Sequence, residues 1–252
     1  MSQTIRYPEI LELARRDGKV TVEGLAAHFG VTLQTIRRDL SDLADAGKLD
    51  RVHGGAILPS GTTNIAYEQR RDMAREGKAR LAAACARAIP DGASVVLNIG
   101  STTEAVARAL TSHKNLLVVT NNINVAAILA EAPDARVVLT GGTLRARDGG
   151  LVGPLAAETI RKFRFDIAVI GCSALDQGGE MLDFDLQEVE VSQAILQQAR
   201  QKFLVADGTK FIRRAPARID SMSSIDSFFT DTTPTAALQT LCKVWSTKII
   251  VA

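Results

Sequence analysis

Between residue 93 and the C-terminus seven short apolar runs recur: SVVLNIG, NLLVVT, RVVLT, FDIAVIG, KFLVA, SFFT and KIIVA. Most are separated by stretches of helical spacing, such as Glu104 to Leu110, Asn124 to Ala130 and Glu188 to Arg200. A run that is apolar on both alternating faces is a strand covered from both sides. Strand and helix in repeated alternation therefore specify an α/β domain, a Rossmann-like and largely parallel sheet with helices on both faces. In such a sheet ligands bind at the carboxyl ends of the strands.

The residues after five of these strands share a character. The first runs into Gly100-Ser101-Thr102-Thr103, the second into Thr120-Asn121-Asn122, the third into Thr140-Gly141-Gly142, the fourth into Gly171-Cys172-Ser173 and the fifth into Asp207-Gly208-Thr209-Lys210. Glycines and caps are common in any strand-to-helix loop, so each turn alone reads as structural; five on one rim point to a ligand. A strand, a glycine and three hydroxyl residues opening a helix present backbone N–H groups and the positive dipole end to an anion. Ser101, Thr102 and Thr103 are thus candidate phosphate ligands, alongside their capping role. The glycine-rich stretch TGGTLRARDGGLVGP adds Arg145, Arg147, Asp148, Gly149 and Gly150, suited to a second anion contact or to closure over a ligand. Lys210 either points a cation at the same rim or forms a surface salt bridge. Cys172 reads as a small buried residue, because no histidine lies near it in sequence.

The N-terminal part is different in kind. PEILELARRDGKVTVEGLAAHFGVTLQTIRRDLSDLADAG holds three apolar-periodic segments with short breaks: Ile10, Leu11 and Leu13 on the first, Leu25, Ala26 and Phe29 on the second, and TIRRDL in the third. Gly30 suits the end of the second helix and Thr32 the N-cap of the third. At 100° per residue, Leu33, Ile36, Leu40 and Leu43 share one face of the third helix, with Gln34, Arg38, Ser41 and Asp42 opposite. In KLDRVHGGAIL, Leu49, Val52 and Ala56 to Leu58 suit two short strands, with Gly54 and Gly55 supplying the positive φ of a hairpin turn. Three helices and a hairpin make a winged helix-turn-helix.

In that motif the second helix of the pair enters the major groove and reads base edges near its N-terminus. Those positions here are Gln34, Thr35 and Arg38; an arginine fork matches guanine and a glutamine amide matches adenine. Arg37, on the flank, is aimed at phosphate, and the wing offers Lys48, Arg51 and His53. Residues 1 to 58 carry eight Lys plus Arg and eight Asp plus Glu, so affinity for DNA rests on the placement of charge and not on its sum.

The expected domains are a winged helix-turn-helix over residues 1–58, a linker with the start of a hinge helix over 59–80, and an effector-binding and oligomerisation domain over 81–252. One helix is expected from Tyr67 or Glu68 toward Ala88. The linker holds five basic and three acidic side chains and so carries the whole formal charge of +2, either as a basic hinge near DNA or as a solvated helix. No apolar run approaches the length of a membrane span and the N-terminus lacks a signal-peptide core. Three cysteines without a C-x-x-C fit a reduced, cytoplasmic setting. No metal site, cofactor or catalytic residue is expected.

VTLQTIRRDLSDLADAGKLDRVHGGA resembles the N-terminal signature of the DeoR family of bacterial repressors, in which an R-R-D-L helix precedes a wing ending in H-G-G-A. The resemblance extends over nearly the whole chain. It implies a sugar-phosphate-sensing domain related in fold to ribose-5-phosphate isomerase and glucosamine-6-phosphate deaminase. Positions matching family motifs are Arg70, Lys78, Gly100, Thr102, Thr103, Thr120 to Asn122, Gly141, Gly142, Gly153, Glu188 and Asp207 to Phe211. RDGGLVG, LDFDLQEVEVSQAI and TNNINVA narrow the likeness to the branch concerned with glycerol 3-phosphate. After Lys210 that branch continues F-G-R-N-A, whereas this chain reads FIRRAPARID, with Ile212 and Arg214 at the departing positions.

The function expected is therefore a repressor that holds double-stranded operator DNA as a homo-oligomer, dimer or tetramer, and is released by a phosphorylated small metabolite, glycerol 3-phosphate first. A different sugar or polyol phosphate is the alternative effector. An isomerase-like enzyme is the remaining one: Asp183, Asp185, Glu188, Asp207 and Lys210 supply titratable groups, but no spacing commits them to chemistry.

Overall fold

The computed structural model describes residues 3–17, 19–52, 54–57 and 67–252. It divides into two compact units, Met1–Ala74 and Arg75–Ala252, a boundary that falls inside the segment read as linker.

In the first unit, α1 (Gln3–Asp17), β1 (Lys19–Thr21), α2 (Val22–Phe29) and α3 (Leu33–Asp45) are followed by β2 (Asp50–Val52), β3 (Gly55–Ile57) and α4 (Tyr67–Asp72). The short break between α2 and α3 is built from its caps. Gly30 takes φ 64° and donates to the Ala26 carbonyl, and Thr32 Oγ1 accepts from the Thr35 amide. Ile10, Ala14, Leu25, Ile36, Leu40, Leu43 and Leu49 close one core under the three helices.

Three details differ from the sequence reading. The wing sheet has three antiparallel strands in the order β1-β3-β2, because Lys19–Thr21 pairs with Gly55–Ile57. Only Gly54 supplies a positive φ, of 75°. Gly55 is bare for another reason: a Cβ there would collide with the Val20 carbonyl oxygen of β1. Finally, Leu33 stands 42% exposed at the start of α3 instead of joining its packed face. His53 and Leu58 lie outside the described residues.

The single helix expected from residue 67 toward 88 is two, α4 and α5 (Arg75–Arg87), separated where Ala74 takes φ 50°. A non-glycine residue there costs about 1 kcal/mol and does not propagate a helix.

In the second unit all seven apolar runs are strands of one parallel sheet: β4 (Ser94–Leu97), β5 (Leu116–Thr120), β6 (Ala135–Leu139), β9 (Phe165–Ile170), β12 (Ala199–Val205), β14 (Ser227–Thr230) and β15 (Lys248–Val251). Its order is β15-β14-β12-β9-β4-β5-β6. α5, α6 (Ser101–Ala109) and α7 (Ile123–Ala130) cover one face, packing on Val95, Leu97, Val118, Val169, Phe203 and Phe229. α8 (Pro154–Arg161), α9 (Leu186–Gln198) and α10 (Ala236–Trp245) cover the other, on Val96, Val119, Ala168, Ile170, Leu204 and Phe228. Neighbouring residues of each strand thus serve opposite cores, which is why the runs carry no polar alternation.

Two small antiparallel pieces escaped the sequence reading. A hairpin joins β7 (Thr143–Arg145) to β8 (Gly150–Val152), and a three-stranded sheet joins β10 (Ala174–Leu175), β11 (Glu180–Asp183) and β13 (Ala217–Ser221). From β4 the chain winds one way through β5 and β6, then returns to β9 on the other side of β4 and winds the opposite way. The order therefore reverses between β4 and β9. At such a point the loops diverge and leave a crevice at the carboxyl ends.

Candidate functional site

The first candidate surface is α3 with its wing. Gln34, Arg37, Arg38, Lys48 and Arg51 are exposed, while Ile36, Asp39, Leu40 and Leu43 are buried. The hydroxyls of Thr32 and Thr35 lie 2.9 Å apart at the head of the helix. Arg51 Nη1 donates to the Arg37 carbonyl at 3.0 Å, so a wing residue is braced directly against α3. The helix is anchored from behind by two contacts the sequence did not announce. Arg6 Nε and Nη2 donate to Asp39 at 2.7 and 3.1 Å, and the Tyr7 hydroxyl donates to Asp42 at 2.8 Å. Burial, then the Asp42 bond, push the Tyr7 hydroxyl up to about 12. The third residue of the RRDL motif is thus a fastener between α1 and α3, and the two arginines before it face outward.

The second candidate surface is the carboxyl-end rim of the parallel sheet. Asn98, just past β4, clamps the point of strand reversal: its Oδ1 accepts from the Gly171 amide at 2.9 Å and its Nδ2 donates to the Gly171 carbonyl at 3.1 Å. Gly100 opens α6 without any side-chain cap. Ser101, Thr102 and Thr103 follow, all buried. Thr103 Oγ1 donates within the loop, to the carbonyls of Asn98 and Gly100 at 2.8 Å each. Its hydroxyl proton is committed there.

Beside it, Thr120 Oγ1 donates to the Leu97 carbonyl across β4 and β5. Asn122 caps α7 and donates to Glu104. Asn121 Nδ2 donates to the Leu151 carbonyl, whereas its Oδ1 is buried with no hydrogen-bond partner. The β7–β8 hairpin lies across these strand ends, through Leu151 N to Asn121 O at 2.7 Å and Ile123 N to Gly149 O at 2.9 Å. Gly150 packs on Ile99 where a side chain would not fit. Gly141, Gly142 and Gly149 take φ of 75°, 115° and 73°, the backbone that lets the hairpin turn in.

Arg145 does not stand open to an anion. Its guanidinium donates to Asp148 at 2.8 and 2.9 Å, to Asp185 at 2.6 Å and to Glu188 at 2.5 Å, tying the hairpin to the first turn of α9. Arg147 is more exposed, 3.8 Å from Asp185. Asp148, Asp185 and Glu188 share this one guanidinium, and Asp183 is close enough to act on Glu188. Burial, and then Asp183, push the Glu188 carboxyl up to about 8 against the pull of Arg145.

On the far side of the reversal the charge is of the other sign. Asp207, Lys210, Lys78 and Arg213 are all buried. Asp207 Oδ1 accepts from the Thr209 amide and hydroxyl, and Lys78 Nζ lies 4.0 Å from Oδ2. Burial works against the Asp207 carboxylate, but Lys210 and then Lys78 outweigh it and hold its pKa below the ordinary value. Arg213 lies over the Phe184 ring at 5.7 Å. Cys172, buried nearby, has its thiol pushed up to about 12 by burial. The rim is therefore bipolar: buried cations gather around Asp207 on the β12 side, and carboxylates are clamped by Arg145 at the hairpin. Sequence reasoning missed Asn98 and Arg213 as members. Neither carries a spacing signal, because each is brought in by the strand order.

The described residues contain no cluster of His, Cys, Asp and Glu suited to a metal ion, and no helix among them is long and apolar enough to cross a membrane. Comparison with known proteins is specific. The DeoR-like helix-turn-helix domain matches residues 6–62, and the DeoR C terminal sensor domain matches residues 73–232. The glycerol-3-phosphate regulon repressor of Escherichia coli (strain K12) is 44% identical over 93% of this chain and 93% of its own length. The repressor of the same description from Haemophilus influenzae is 40% identical over 99% of this chain and 97% of its own length. Among solved structures, eIF2B beta from Chaetomium thermophilum shares the fold at TM-score 0.57 and 14% identity, covering 97% of this chain and 91% of that one. Ribose 5-phosphate isomerase from Methanocaldococcus jannaschii aligns at TM-score 0.42 and 12% identity over 56% of each chain. A helix-turn-helix domain and a sensor domain, matched in order over most of the length, make this chain a member of the DeoR family of DNA-binding transcriptional repressors.

Proposed function

We propose that the chain represses genes of glycerol 3-phosphate use, holding its operator through α3 and the wing and letting go when glycerol 3-phosphate occupies the carboxyl-end rim. Arg38, Gln34 and the exposed Leu33 read base edges, while Arg37, Lys48 and Arg51 hold phosphates. The working form is a homo-oligomer in the cytoplasm, since one winged helix contacts too few base pairs to find a genomic site.

The observation that carries the effector assignment is the bipolar rim at the strand reversal. The α6 amides at Ser101 to Thr103, with Lys210 on the β12 side, suit a phosphate. Asn121 Oδ1, buried without a donor, suits a hydroxyl group. A small phosphorylated polyol has those two ends, and the names of the related repressors agree with it. Ligand releases DNA to the extent that it binds the DNA-incompetent state more tightly. Calorimetric titration tests the assignment: glycerol 3-phosphate binds and free glycerol does not. Tighter binding of another sugar phosphate replaces the effector and keeps the site; equal binding of glycerol refutes the phosphate end.

The isomerase reading rests on Glu188, whose raised pKa suits an acid–base group. Its carboxylate is held by Arg145 at 2.5 Å, and the related full-length chains are named as repressors. Product formation from sugar phosphates revives that reading; its absence alongside ligand-dependent operator release retires it.

A further inference from the structure

Leu33 is out of place on α3. At 100° per residue it falls about 20° from Leu40, seven positions on, and Leu40 is fully buried. Leu33 is instead 42% exposed, and among the described residues it is the one large apolar side chain of the first unit left in solvent. It is also the first residue of α3, directly after the N-cap Thr32. The N-terminal residues of a recognition helix are the ones that reach base edges in the major groove.

The polar groups of that first turn are largely spent on the helix itself. The Thr32 and Thr35 hydroxyls pair with each other at 2.9 Å, and Thr32 Oγ1 also accepts from the Thr35 amide, so both serve the cap. Gln34, exposed, remains as the polar reader of the turn, with Leu33 beside it. One turn on, Arg37 lies on the same side as Leu33, and its carbonyl is braced by Arg51 of the wing. Arg37, Arg38, Lys48 and Arg51, all exposed, supply the attraction for a polyanion. An apolar side chain carried into a major groove by such a surface meets one apolar group on the base edges, the 5-methyl group of thymine.

We infer that Leu33 is a specificity-determining residue of the operator contact, packing on the 5-methyl group of a thymine in each half-site. With Gln34 next to it suited to adenine, the first turn of α3 selects A·T pairs. This rests on the reading of α3 as the helix that enters the major groove and adds to it the chemistry of one base.

The test uses the full chain without effector and an operator selected in vitro, made with thymine and again with uracil replacing each thymine in turn, in both half-sites at once. Uracil keeps the hydrogen-bonding groups of thymine and lacks only the methyl group. Removing one methyl group from water is worth about fourfold in affinity, and two half-sites multiply this to roughly tenfold or more. Wild type is expected to lose that much at one thymine position. Leu33→Ala binds the thymine and uracil operators alike, and Leu33→Met, which keeps an apolar side chain of similar reach, restores the difference. The salt slope is the same for wild type and Leu33→Ala, because an apolar contact releases no counterions. A selected operator with no thymine shared by its half-sites, or a wild type indifferent to uracil at every thymine, overturns the contact without recourse to a variant. A loss on uracil that persists undiminished in Leu33→Ala overturns it too, since another side chain then reads the methyl group. A preference for operator over random DNA that survives Gln34→Ala with Arg38→Ala unchanged overturns the reading of α3 itself, and the role of Leu33 with it.

Discussion

Arg6 and Asp39 meet inside the first unit through two N–H···O bonds of 2.7 and 3.1 Å, with both side chains buried. The contact joins the start of α1 to the middle of α3, 33 residues away, and so sets the angle at which Arg37 and Arg38 leave the surface. Removing Asp39 takes from the buried Arg6 guanidinium both of its bonds to α3. Asp39→Ala is expected to cost about 3 to 5 kcal/mol of stability, and Arg6→Met with Asp39→Leu to recover most of it. Chemical denaturation of the full chain checks both; a single variant as stable as wild type contradicts the fastening role.

Arg37 and Arg38 should separate in their effects on DNA. Arg38→Ala is expected to lose about 1 to 3 kcal/mol on the operator and to relax preference at one base pair, while Arg37→Ala weakens binding to all sequences and lowers the salt slope by about one. Equal losses on operator and random DNA for both variants count against a base-reading role for Arg38.

Much of this architecture was legible because it is written in periodicity. Seven buried strands are seven apolar runs, and the break between α2 and α3 is written in Gly30 and Thr32. The misreadings have a common cause. β1 is three residues long and is a strand only because β3 arrives beside it; Gly55 is bare because of that same approach, and no local pattern tells this apart from a turn glycine. Leu33 obeys the helical period and is exposed nonetheless, since it lies one turn before the core begins. Arg145 looked like an anion ligand from its glycine-rich loop, and the three carboxylates around it come from its own hairpin and from α9, about 40 residues on. Lys78 and Asn98 became rim residues only once the strand order was known.

Gly55 gives a direct check on the wing. Gly55→Ala places a methyl group against the Val20 carbonyl oxygen, and neither is on a flexible side chain. A cost of about 1 to 3 kcal/mol is expected, with a larger loss of operator affinity than of ligand affinity. Stability equal to wild type would show that β1 and β3 do not pair this closely.

Glu188 sets a pH dependence whose sign is opposite to that of an ordinary ion-paired carboxylate. Its folded-state pKa is raised from 4.5 to about 8, so between those values the folded chain keeps a proton that the unfolded chain releases. Its contribution to stability is complete below the unfolded pKa and is lost as pH rises through the folded one. Glu188→Gln is therefore expected to be less sensitive than wild type to a rise from pH about 5 to about 8.5. Melting temperatures of the two proteins across that range provide the comparison, and parallel curves contradict a proton held at Glu188.

Release of operator by a phosphorylated ligand is the property on which everything else depends. Fluorescence anisotropy of the full chain on an operator selected in vitro, titrated with glycerol 3-phosphate and in parallel with free glycerol, measures it. Operator affinity is expected to fall at least tenfold as glycerol 3-phosphate saturates the protein, corresponding to about 1.4 kcal/mol of coupling, and to stay unchanged with glycerol. Operator binding that is tight, sequence-specific and indifferent to glycerol 3-phosphate and to every other sugar or polyol phosphate tried would contradict it.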